Sequence, residues 1–106
     1  MTKYELWLAK YETFINDFEE LLNDPDWRDE LNDIAEDIAL AYTYRKDLEI
    51  APKELHPKIR EWDTKLLRLG NRLEKLHKPA YEYFKKHFNW LRRLLQTTEA
   101  ETSTKA

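Results

Sequence analysis

"LEKLHKPAYEYFKKHFNW", Leu73 to Trp90, decides how many helices this chain builds. Apolar residues reach it from Ile59 through Trp62, Leu66, Leu69, Leu73 and Leu76. They leave it through Ala80, Tyr83, His87, Trp90 and Leu94, in an unbroken alternation of three and four. That rhythm is helical and predicts one helix of ~40 residues. Pro79 opposes it, because an interior proline removes one backbone hydrogen bond and clashes one turn back, at ~3 kcal/mol or more. No Ser, Thr, Asp or Asn precedes Pro79 to cap a new helix. Length speaks for the break: the first two helices would each be ~30–35 Å long and an unbroken third ~60 Å. Its far half would then lack a partner unless two molecules paired. The expectation is an all-α, antiparallel helical bundle. It has four helices, or three with a long C-terminal helix kinked at Pro79 in a dimerising form. Gly70-Asn71 is a weaker breakpoint.

Working outward, the first helix is predicted to start at Thr2, with Glu5 completing a T-x-x-E capping box. Tyr4, Trp7, Tyr11, Phe14, Phe18 and Leu21 form its seam, widened by Leu8, Ile15 and Leu22. Asp24-Pro25 closes the turn into a second helix over about 25 to 48. Its seam is Trp27, Leu31, Ile34, Ile38, Ala41 and Leu48, broken by Arg45. Pro52 and Pro57 mark a connector with a short helical turn. Residues 1–96 form one domain. The last ten, "TTEAETSTKA", hold no large apolar side chain and are predicted to be a disordered tail, 97–106.

Composition narrows the function classes. The chain has 106 residues, no cysteine, one glycine and four tryptophans. Disulfides and thiolate metal sites are excluded, and a Gly-rich phosphate loop cannot be built. No stretch approaches the ~18 apolar residues of a membrane span, and the N-terminus lacks a signal peptide's apolar core. The expected setting is therefore cytoplasmic. The net charge of −3 conceals a split. Residues 1–54 carry six Lys/Arg against fifteen Asp/Glu, and residues 55–96 carry eleven against four.

With Ile59 and Leu66 at heptad position a, the g positions hold Lys58, Lys65, Arg72, Lys86 and Arg93, interrupted only by Pro79. Such a ridge suits a phosphate backbone, with Tyr81, Phe84 and Phe88 to stack on bases. It suits equally the pairing of basic helix flanks with acidic neighbours that selects bundle topology. The negative overall charge favours the second reading, because nucleic-acid-binding domains often have a pI above ~9.

Site motifs are sparse. Arg72 to His77, "RLEKLH", is an R-x4-H string that resembles the signature of the HEPN superfamily, small all-helical ribonucleases. The resemblance implies that Arg72 steadies phosphorane charge and His77 acts as acid or base. It covers two residues, and Leu73 stands where that family carries a polar one. Glu74 and His77 have di-iron ligand spacing, but a second such pair is missing. His87 on the seam is expected to be a hydrogen-bonded core residue, and His56 to help start a helix. No metal or cofactor is called for.

The sequence thus predicts a non-catalytic accessory, adaptor or inhibitor protein that binds another protein, as a monomer or homodimer. Its candidate contacts are Asp29, Asp33, Glu36 and Asp37 on the second helix, with Trp27 and Trp90 as aromatic anchors near helix ends. The alternative is a nucleic-acid-binding accessory protein using Lys58, Lys65, Arg72, Lys86, Arg93 and Phe88.

Overall fold

The computed structural model describes residues 2–24, 26 and 31–105, and the side chains of 2–24, 26 and 33–96. All regular structure among them is helical: α1 (Lys3–Asn23), α2 (Leu31–Asp47), α3 (His56–Leu76) and α4 (Lys78–Lys105). Two single 3-10 turns, Leu48–Ile50 and Lys53–Leu55, occupy the Pro-bearing connector. The backbone of α4 stays helical through the stretch that composition assigns to a tail.

α1 begins as expected. The Glu5 amide donates to Thr2 Oγ1 at 3.3 Å, and the Thr2 hydroxyl donates to the Glu5 carboxylate. At the other end the Asp26 amide donates to Asp24 Oδ1 at 2.9 Å, and the predicted start of the second helix at 25 lies outside the described residues.

The chain breaks at His77, two residues before Pro79, and the described residues form four helices rather than three. His77 performs the cap for which the sequence offered no Ser, Thr, Asp or Asn. Its backbone is extended, its carbonyl accepts the Tyr81 amide at 3.1 Å, and its Nδ1 accepts the Ala80 amide at 3.1 Å. Pro79 then falls in the first turn, where its missing N–H costs nothing. Gly70-Asn71 is no breakpoint. Gly70 is buried within α3, and a Cβ there would meet the edge of the Phe84 ring, with Cζ at 2.6 Å.

The break also rotates α4. Continuing the rhythm through Pro79 would bury Ala80, Tyr83, His87, Trp90 and Leu94. Instead Tyr81, Phe84, Phe88 and Leu91 are buried, while Tyr83 and Leu94 are exposed. The buried column sits one position on and is the more apolar of the two, and Phe84 seats it on Gly70. In α1 the core line is Leu8, Tyr11, Ile15, Phe18 and Leu22, with Trp7, Phe14 and Leu21 half-buried at its flanks. Of the predicted second-helix seam, Ile34, Ile38 and Ala41 are buried on α2 and Leu48 on the 3-10 turn after it. Arg45 is buried as well, and the side chains of Trp27 and Leu31 lie outside the described residues.

Consecutive helices run antiparallel. Tyr11 to Asp63, Glu19 to Lys65 and Asn23 to Arg72 show α1 and α3 running the same way. Tyr42 to Phe88 and Arg45 to Trp90 show the same for α2 and α4. The neighbours around the bundle are therefore α1–α2–α4–α3, and the connector between α2 and α3 crosses its diagonal. No described helix is long and apolar enough to cross a membrane.

Candidate functional site

Burying Arg45 on an otherwise apolar seam demands a counter-charge, since an unpaired buried ion is expensive. Asp63 of α3 supplies it across the diagonal. Arg45 Nε donates to Asp63 Oδ1 at 2.8 Å, and the Tyr11 hydroxyl of α1 donates to the same oxygen at 2.6 Å. The residues are 6%, 1% and 0% exposed, so this is a core network, not a surface bridge. From α4, the Trp90 ring lies over the guanidinium, centroid to Cζ 5.4 Å, and Lys46 Nζ lies 4.2 Å from that ring. One polar cluster thus joins all four helices.

Burial lifts the Asp63 carboxyl above the ordinary carboxylate range, against the opposing pull of the Arg45 hydrogen bond and charge. Burial likewise drives the Tyr11 phenol well above its usual value, reinforced by the neighbouring Asp63 charge. A cleft of about 260 Å³ opens onto the cluster, with Arg45 and Asp63 in its floor and Trp90, Ile59, Leu94 and Leu95 in its walls.

The expected protein-contact residues separate. Trp27 and Asp29 lie outside the described residues. Asp33 and Glu36 are exposed on α2 and Asp37 is half-buried beside them. Burial first, then the charges of Asp17, Glu36 and Asp33, raise Asp37 to about 6. Trp90 is half-buried, and its indole N–H donates to the His87 carbonyl at 2.7 Å, so it is a wall of the cleft more than a free anchor.

No family model, curated protein or solved structure matches the chain.

The basic ridge does not persist as one line. Lys58, Lys65 and Arg72 follow α3, whereas Lys86 and Arg93 are exposed on the separate α4. Lys65 Nζ pairs with Glu19 at 3.3 Å and donates to Asn16 at 3.0 Å, and Arg72 donates to Asn23 at 2.8 Å. The aromatic side chains beside the ridge are not presented to bases: Phe88 and Phe84 are each 1% exposed and Tyr81 is buried. Of the HEPN-like string, Arg72 is engaged by Asn23 and His77 Nδ1 by the Ala80 amide. His87 Nδ1 lies 3.0 Å from the Tyr83 carbonyl, and His56 Nε2 lies 3.0 Å from the Ala51 carbonyl. Among the described residues, no three His, Asp or Glu side chains converge as metal ligands would.

Sequence reasoning missed Asp63. The signal was Arg45 itself: a cation on a buried seam implies a carboxylate facing it from another helix.

Proposed function

We propose that this chain is a non-catalytic accessory or inhibitor protein that binds another protein through the acidic face of α2. One observation carries the reading. Asp33, Glu36 and Asp37 crowd together with Asp17 of α1, and among the described residues no Lys or Arg forms an ion pair with any of them. Crowding that helps raise a half-buried carboxyl to about 6 is unfavourable in the free protein. A basic partner surface would relieve it and would be steered in by the same field.

The test uses partners recovered from native cells by the full chain, and their release by salt. Replacing Asp33→Asn, Glu36→Gln and Asp37→Asn together should abolish recovery while leaving the helical signal intact. Replacing Lys65→Gln and Arg72→Gln should leave recovery unchanged. The same partners held by the triple variant, with the same salt sensitivity, would refute the assignment.

A second reading has one observation in its favour. A groove of about 460 Å³ between α1 and α3 is lined by Trp62, Lys65, Arg68 and Arg72, with Glu19 and Glu61 beside them. There the buried Trp62 Nε1 has no hydrogen-bond partner among the described residues. As a nucleic-acid site this groove would retain DNA or RNA at low salt and lose it steeply between about 50 and 200 mM. No retention at the low end eliminates it.

A further inference from the structure

The guanidinium of Arg45 is only partly engaged. Its Nε is committed to Asp63, yet its two terminal nitrogens hydrogen-bond to no described residue. They are not sealed in the core either: Arg45 lines the cleft, and the one fully buried unpartnered side-chain nitrogen or oxygen among the described residues is Trp62 Nε1. A side chain 6% exposed therefore turns its remaining donors into a cleft of about 260 Å³. Buried donors are ordinarily met by protein, water or ligand.

The surroundings restrict what suits them. Trp90, Leu48, Ile59, Leu94 and Leu95 give the cleft an apolar side, His56 and the Asp63 carboxylate add polar lining, and Arg60, exposed at the rim, adds a second cation. Glu49, the rim carboxylate, is held by Lys46 Nζ at 2.9 Å. Asp63 fixes the plane of the Arg45 fork through Nε, so its free edge is preorganised. A fixed guanidinium edge beneath apolar walls is the arrangement that takes a carboxylate in forked hydrogen bonds and buries an apolar body above it.

We propose that the Arg45 cleft binds a carboxylate carrying an apolar group, either a small organic acid or the C-terminal carboxylate of a polypeptide ending in an apolar residue. The site is independent of the acidic face of α2 and stands or falls separately from it.

The experiment titrates the full-length, 15N-labelled chain with four probes. These are hexanoate, hexanamide, a short leucine-terminated peptide with a free carboxylate, and its C-terminal amide. Expected are saturable shifts of the Arg45 Nε–H and Trp90 indole N–H resonances with the carboxylates, at a dissociation constant of about 1 mM or tighter. The amides should bind at least ~10-fold more weakly, since they lack the charge that the fork recognises. A peptide more than ~10-fold tighter than hexanoate identifies a chain terminus as the ligand, and equal binding identifies a small acid.

Arg45→Gln with Asp63→Asn, which neutralises both partners together, should lose the carboxylate preference. Arg60→Gln, at the exposed rim, tests the site without touching the core and should weaken binding by ~2- to 5-fold. Absence of saturation with either carboxylate by about 10 mM overturns the proposal. So does equal binding of acids and amides, or unchanged preference in a folded Arg45→Gln/Asp63→Asn chain.

Discussion

At the scale of single residues, Asp63 is the centre of the molecule. Its Oδ1 takes hydrogen bonds from α1 and α2 at once, so changes to its partners separate what the network contributes. Arg45→Ala leaves a buried carboxylate without its cation and should cost about 3–5 kcal/mol. Tyr11→Phe removes one hydrogen bond to a charged group and should cost about 1.5–3 kcal/mol. Replacing the pair together, Arg45→Met with Asp63→Leu, in a Tyr11→Phe background that leaves no buried phenol unpaired, should be near neutral or stabilising relative to that background, because two desolvation penalties vanish with the attraction. Urea midpoints of the three variants check the order. If the double replacement proves as costly as Arg45→Ala alone, the pair is a net source of stability and the desolvation argument is wrong for this core. Arg45 was legible in the sequence as the one charge on the α2 seam. Asp63 was not, because an aspartate beside Trp62 on a helix flank has the same local pattern as any solvated charge.

At the scale of elements, the deciding device is the break between α3 and α4. His77 caps α4 through Nδ1, so His77→Ala should cost about 1 kcal/mol and fray the first turn of α4. Asparagine or aspartate at 77 should restore the cap, aspartate with an added favourable interaction with the helix dipole. Amide exchange at Ala80 and Tyr81 reports the fraying. Equal protection in His77→Ala would mean that Pro79 alone sets the boundary. Gly70 makes the second device. Alanine is the better helix former by up to ~1 kcal/mol, yet Gly70→Ala should destabilise by about 1–3 kcal/mol, because Phe84 occupies the space of the new methyl. A stabilised Gly70→Ala chain, by thermal melting, would show that Phe84 moves aside freely. The helical class, the start at Thr2 and the buried α2 positions were readable from the capping box and periodicity, whereas the number of helices was not, because the rhythm runs on through Pro79. The α4 face was not: Tyr83-His87-Trp90 and Tyr81-Phe84-Phe88 both keep helical spacing. Only packing on Gly70 and the reset at His77 choose between them.

For the whole molecule, the charge split between the two halves is only partly answered within the fold. Lys65 and Glu19 pair across α1 and α3, while the deepest ion pair runs the other way, from an arginine of the acidic half to an aspartate of the basic half. The carboxylates of α2 remain crowded. This was visible in the sequence as a count, but its consequence depends on Asp17 arriving from α1, which only the bundle brings about. The sign of its effect follows from linkage. Asp37 is raised from 3.8 to about 6, so between those values the native state binds more protons than the unfolded chain. Stability contributed by that proton is present below about 4 and is lost as pH rises through about 6. Asp63, also raised, acts in the same direction. The protein should therefore be less stable at pH 7 than at pH 5. Asp37→Asn should flatten most of that slope and add roughly 0.5–1 kcal/mol at pH 7, after allowance for the solvent that screens a half-buried group. Thermal melts of both chains across this range, at low and high salt, test it, since salt screens repulsion among exposed carboxylates. A wild-type melting temperature that climbs from pH 5 to pH 7 would show that these carboxylates are compensated by cations, and would remove the physical basis for assigning a basic partner to that face.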